Sequence, residues 1–170
     1  MVNKIEALLD SVQKPARYTG GEVNTSIKAW DDAQVTFAFC FPDTYEVAMS
    51  HLGLKILYAL INSQPYALCE RVMMPWVDMR ALLLENNVPL FSLETRTPLN
   101  KFDIVGFTLQ YEMSYTNILD MLSLGQIPVF AGERGKDDPI VIAGGPCAFN
   151  PEPLHAFFDA FVLGDGEEAT

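Results

Sequence analysis

Residues 140–146 read IVIAGGP, four apolar residues running into two glycines and a proline. A short continuous apolar run closed by Gly-Gly is the pattern of a strand buried on both faces, as in a parallel sheet. Gly144 and Gly145 then stand at its carboxyl end. There a backbone without Cβ atoms can turn sharply and let another group approach closely. Two further stretches carry polar residues at expected strand ends. Residues 42–53 include Asp43, Tyr45 and His51, and residues 108–114 include Thr108, Gln110 and Glu112. Together with the loop 144–150, which contains Pro146, they offer backbone donors, a hydroxyl, an amide and an imidazole. If the three strands are parallel, these loops meet on one edge of the sheet, where open parallel sheets bind ligands.

The alternative readings are structural. His51 opens an expected helix, where a histidine more often caps or packs than ligates. His155 lies in a short surface segment, and Glu112 is either a partnered buried carboxylate or an exposed loop residue. Residues 164–169, GDGEEA, fit the dinucleotide fingerprint G-x-G-x-x-A in form only. Glu167 and Glu168 stand where a helix N-terminus should attract an anion, and no ribose-binding acid follows. Both acids suit the first turn of a helix that runs beyond Thr170, so the natural polypeptide is expected to continue. No P-loop, H-E-x-x-H, EF-hand or Ser/His/Asp pattern is present, and the chain shows no complete catalytic constellation.

The elements that would position these loops follow from periodicity. A helix over 3–12 places Ile5, Leu8, Leu9 and Val12 on one face, and Pro15 stops it. Residues 17–24 form a glycine-containing loop. Residues 35–41, VTFAFCF, predict the first central strand. A helix over 50–62, with Ser50 as N-cap, is apolar nearly all round and is expected to be well covered. A strand over 67–72 precedes a helix from Trp76 to Asn87, with Pro75 at its start and Val77, Arg80, Ala81 and Leu84 on one face. Residues 90–93 are a third strand candidate, and 103–110 a better one. A helix over 115–124 closes on Gly125 as a C′ residue. The strand 140–143, a short helix over 153–159 and a last strand over 160–163 complete the chain. Alternating strands and helices predict a three-layer α/β domain with a mostly parallel sheet.

At 170 residues, with 49% of them apolar, one domain with a real core is the default. A net charge of −11 argues against a nucleic-acid-binding surface, which needs clustered Lys and Arg. No window has the length of a membrane-spanning helix, and Glu6 and Asp10 interrupt what would be a signal peptide. Cys40, Cys69 and Cys147 form no C-x-x-C pair, which suggests reduced thiols and a cytoplasmic setting. Cys40 and Cys69 read as core residues.

Residues 41–58 (FPDTYEVAMSHLGLKILY), 102–119 (FDIVGFTLQYEMSYTNIL) and 140–168, with GGP, NPEP and GDGEE in order, carry a resemblance that spans 15–170. The chain resembles the N-terminal domain of a radical S-adenosylmethionine (radical SAM) family whose members carry a cobalamin-binding-like domain ahead of the radical domain. Residues 1–24 read as an N-terminal helix and arm, and the resemblance implies a flavodoxin-like Rossmann domain over 25–170. It also implies a following domain with a 4Fe-4S cluster and S-adenosylmethionine, whose Cys-x-x-x-Cys-x-x-Cys motif is absent here. Cobalamin domains carry Asp-x-His-x-x-Gly after the first strand. Here Asp43 is kept, Tyr45 stands at the His position and Ala48 at the Gly. Thr108-Leu109-Gln110 stands for Ser-x-Leu, and Gly144-Gly145 is kept. Under this resemblance Thr108, Gly144, Gly145, Gly164 and Gly166 would line a corrinoid pocket by backbone and hydroxyl contact.

The departures at Tyr45, Ala48 and Gln110 favour a degenerate scaffold or substrate-docking domain over a corrinoid carrier. Tyr45, Met49 and Leu52 are expected to close the channel that a corrinoid tail needs. The expected partner is the radical SAM domain of the same polypeptide, with a homodimer possible through an exposed apolar patch. No membrane and no direct nucleic-acid contact is expected.

Overall fold

The computed structural model describes residues 2–26 and 28–169; residues 1 and 170, the outer ends of the two expected spans, lie outside the described residues. Five strands form one parallel sheet: β1 (Val35–Phe41), β2 (Ala67–Met73), β3 (Ile104–Thr108), β4 (Ile140–Gly144) and β5 (Ala160–Phe161). Their order is β2-β1-β3-β4-β5. This is the doubly wound order of flavodoxin-like sheets, and its direction of winding switches between β1 and β3. The fold class read from the sequence therefore holds.

Register divides the side chains into two faces. Phe39, Gly106 and Ile142 are paired in one row across β1, β3 and β4, with Arg71 of β2 at its end. The next row, Ala38, Val105 and Val141, faces the other way. That second face carries the larger core. Helices α1 (Val2–Leu9), α4 (Val77–Glu85) and α5 (Tyr115–Leu124) supply Ile5, Leu8, Met79, Leu83, Ile118 and Met121 to it. The N-terminal helix is thus built into the domain. The first face is covered over β1 and β2 by α3 (Leu52–Ser63), whose Leu54, Tyr58 and Ile61 pack on Phe39, Phe41 and Cys69. A short α2 (Tyr45–Ser50) precedes α3, and α6 (Gly166–Ala169) follows β5.

Several local expectations change. Ser50 ends α2, its hydroxyl donating to the Val47 carbonyl, and His51 is the N-cap of α3. Helix α3 is not fully covered, since Leu52 and Ile56 on its outer side are exposed. In α4 the buried pair is Met79 and Leu83, one turn apart, while Val77 and Leu84 face solvent. Gly125 keeps a right-handed backbone, and it is Gln126 that turns left-handed after α5. Glycine at 125 serves close approach, because a Cβ there would come within 2.8 Å of Leu99.

Residues 90–93 join no sheet. They lie along the outer edge of β2, where the Leu93 N–H donates to the Arg71 carbonyl. Residues 153–159 form turns with i to i+3 bonds, such as Leu154 N–H to the Pro151 carbonyl, and no helix. Pro151 and Pro153 each remove a backbone donor, and the link from β4 to β5 is anchored instead by buried Leu154 and Phe158. The last strand stops at Phe161, shorter than expected.

Candidate functional site

All five strands run the same way, so the loops after β1, β3 and β4 share one edge, as the sequence predicts. Side chains and backbone knit them together. The Asn117 amide donates to the Pro42 carbonyl (3.0 Å), and the Tyr111 hydroxyl to an Asp43 carboxylate oxygen (3.2 Å). The Leu109 N–H donates to the Gly144 carbonyl, and the Cys147 N–H returns to the Leu109 carbonyl. Gly145 makes this junction possible. Its φ is +102°, and a Cβ there would stand 3.0 Å from the Leu109 carbonyl oxygen and 3.3 Å from Thr108 Oγ1. Only glycine takes that backbone without strain so close to a neighbouring strand.

Because α3 covers only β1 and β2, the sheet is open beside it. A pocket of about 260 Å³ fills that gap. Its floor is Phe37, Phe39, Gly106 and Ile142; Leu57 and Ile61 of α3 form one wall. Val162, Gly164, Gly166 and Glu167 complete the lining, with Gly166 of α6 set directly against Leu57 of α3. At the carboxyl edge the lining is His51, Gly53, Thr108, Gln110, Gly144 and Gly145. The floor owes its depth to Gly106, over which the Phe37 ring lies so closely that a Cβ would collide with it. The volume falls just under the usual range of small-molecule sites, about 300–1,000 Å³.

The polar groups of this pocket are few and fixed. The Gln110 amide donates to the Thr108 hydroxyl. The Leu54 N–H donates to His51 Nδ1 at 3.2 Å, and the imidazole lies 5.2 Å from the Phe41 ring. With Nδ1 accepting, the neutral ring carries its proton on Nε2. No Lys or Arg is found among the described residues that line the pocket.

Of the site residues read from the sequence, His51, Thr108, Gln110, Gly144, Gly145, Gly164 and Gly166 are gathered around this one pocket. Three others stand apart from its lining. Asp43 accepts from the Thr44 N–H and from Tyr111. Pro146 starts a single turn of 3-10 helix over Pro146–Phe149. Tyr45 lies elsewhere, donating its hydroxyl to Glu22 at 3.1 Å and lining a small cavity with Arg17 and Arg71. Burial and the adjacent Glu22 carboxylate raise its pKa above the ordinary phenol value, so the hydroxyl stays neutral.

The expected closure of the channel does not occur. Tyr45 is turned to Glu22, Leu52 is 68% exposed, and Met49 receives a contact from the Arg71 guanidinium, so none of them blocks the opening. Glu112 is exposed, and His155 Nδ1 lies 2.7 Å from the Glu152 carbonyl. Among the described residues, no group of three His, Cys, Asp or Glu is placed to hold a metal ion, and no helix is long and apolar enough to cross a membrane.

Sequence reasoning missed Phe37, Leu57, Ile61, Ile142 and Val162, which read as ordinary core residues. Apolar lining has no motif. An apolar rim was also missed. Met113 (83% exposed), Phe149 (72%) and Leu163 lie on the loops after β3, β4 and β5, at the pocket edge of the sheet.

Residues 53–170 match the family described as "Radical SAM proteins, N-terminal". The chain belongs to this family. The match covers β2 through α6 and every pocket-lining residue named above except Phe37, Phe39 and His51. The radical SAM N-terminal domain is also 34% identical over 84 residues to the uncharacterized protein MJ0966 of Methanocaldococcus jannaschii. That stretch is 48% of this chain and 17% of the relative's length. No solved structure is significantly similar to the chain.

Proposed function

We propose that this radical SAM N-terminal domain holds a ligand in the pocket between its sheet and α3 and presents it to a catalytic radical SAM domain. The ligand class that fits is a corrinoid whose nucleotide tail enters the pocket. One observation carries the reading. Thr108, Gly144 and Gly145, at the positions that correspond to the cobalamin pattern, line the pocket bounded by the sheet, α3 and the start of α6. The floor is apolar and suits a flat heterocycle, and Thr108, Gln110 and His51 supply the polar groups at its carboxyl edge.

The position below the cobalt does not fit. Tyr45 stands at the place of the histidine and its hydroxyl is engaged with Glu22, so the residues that would hold a corrinoid are those of the tail pocket and not Tyr45. A bound corrinoid supplies a transferable methyl group; the residues of this chain bind it, orient it and keep water from its buried end. The 4Fe-4S cluster and S-adenosylmethionine belong, in this reading, to the catalytic domain, which would dock on the rim of Met113, Phe149 and Leu163. A second reading, a scaffold or substrate-docking domain without cofactor, is favoured by the departures at Tyr45, Ala48 and Gln110.

The test is retention of hydroxocobalamin after desalting, read from the visible spectrum. Wild-type protein is expected to keep corrinoid at near-equal stoichiometry. Gly144→Val is expected to lose it. A Cβ at Gly144 meets only ordinary contacts, 3.7 Å from Val162, so the substitution narrows the pocket without forcing the backbone. Colourless wild-type protein contradicts the corrinoid reading and leaves the scaffold.

A further inference from the structure

We infer that His51 reads the ligand: its Nε2–H is a fixed hydrogen-bond donor in the pocket, and it selects an uncharged heterocyclic group bearing an acceptor. The inference rests on the pocket being the corrinoid-tail site proposed above. Three observations carry it. First, Nδ1 is committed to the α3 backbone, accepting from Leu54 N–H at 3.2 Å. The cap therefore fixes the tautomer and leaves the proton on Nε2. Second, the ring is held on two sides. Phe41 packs against it at 5.2 Å, and Gly53 leaves room for its Cε1, since a Cβ there would come within 2.9 Å. Nε2 has no hydrogen-bond partner among the described residues, and the imidazole lines the pocket. Third, the electrostatics choose the ligand class. No Lys or Arg is present among the described lining residues, Glu167 is at the wall, and the chain carries a net charge of −11. A phosphate buried there would meet repulsion and no counter-charge, so the neutral base of the tail takes the pocket, where it needs only a donor, and the tail's phosphodiester stays outside in solvent.

Helix capping and ligand reading can be separated by substitution. Asparagine is among the best N-cap residues, so His51→Asn keeps the cap on Leu54 through its side-chain oxygen, while its own amide N–H stops short of the place of Nε2 and the donor is drawn back from the ligand. The experiment compares affinity for hydroxocobalamin with affinity for cobinamide, which lacks the nucleotide tail, in wild-type and His51→Asn protein. Urea unfolding of both proteins is measured alongside. Wild-type protein is expected to bind cobalamin at least tenfold more tightly than cobinamide. His51→Asn is expected to weaken cobalamin about tenfold, the effect of one lost hydrogen bond, and to leave cobinamide binding and the unfolding midpoint unchanged. Cobalamin binding that His51→Asn does not weaken overturns the role of His51 and leaves the pocket reading standing. Equal weakening of cobalamin and cobinamide, or a lowered midpoint, reduces His51 to a structural cap and also overturns it. Wild-type protein that binds neither corrinoid overturns the pocket reading and this inference with it.

Discussion

Gly145 and Gly144 are neighbours with different duties. Gly145 has a φ of +102° and no space for a Cβ beside Leu109, whereas Gly144 has a backbone open to any residue and room toward Val162. Gly145→Ala is therefore expected to lower stability by about 1–3 kcal/mol, the usual cost of a non-glycine residue in a left-handed conformation. Urea denaturation checks this; an unchanged midpoint contradicts the close approach. A bulky residue at 145 would disturb folding before it disturbed binding, so Gly144 is the better place to probe the pocket. The sequence marks the pair plainly, because two glycines after an apolar run are hard to read otherwise. It does not say which glycine serves the turn. That depends on a neighbouring strand 36 positions earlier, since Leu109 lies that far from Gly145.

Among the elements, β2 shows how the sheet finishes an edge that has no further strand. An exposed edge leaves unpaired backbone groups, and proteins cover or charge it. Here Asn62 of α3 does so: its side-chain nitrogen donates to the Cys69 carbonyl at 2.9 Å, and its oxygen accepts from the Cys69 N–H at 3.0 Å. Two residues on, Glu94 accepts from the Arg71 N–H and pairs with the Arg71 side chain at 2.6 Å, while Glu22 joins from the arm at 3.2 Å. Burial raises the Glu94 carboxyl above its ordinary range, against the pull of Arg71. Asn62→Ala leaves a buried donor and acceptor on Cys69 unpaired. It is expected to cost about 1–3 kcal/mol for each group left unsatisfied, read from urea unfolding. A cost near zero contradicts the edge-capping role. None of this was legible in the sequence, where Asn62 reads as the polar end of a helix and residues 90–93 as a strand. Strand propensity describes an extended backbone; it cannot tell a ladder from a loop that lies beside one.

The fold as a whole was legible because each βαβ unit announces itself through periodicity and glycine punctuation, and short crossovers leave few topologies. The site was half legible. Its polar rim came from loops that parallel strands must bring together. Its depth came from the apolar sheet face beside α3, which has no signature in Phe37, Gly106 or Ile142. The family match agrees with the sequence resemblance on the radical SAM N-terminal domain. The central claim, that the ligand enters between the sheet and α3, is tested most directly by mapping backbone amide shifts on adding hydroxocobalamin to isotope-labelled protein. The account predicts the largest shifts at Gly106, Gly144, Gly164 and the His51–Leu54 turn, with residues around Tyr45 and Glu22 unmoved. Shifts centred on Tyr45 and Glu22, or none anywhere, would contradict it.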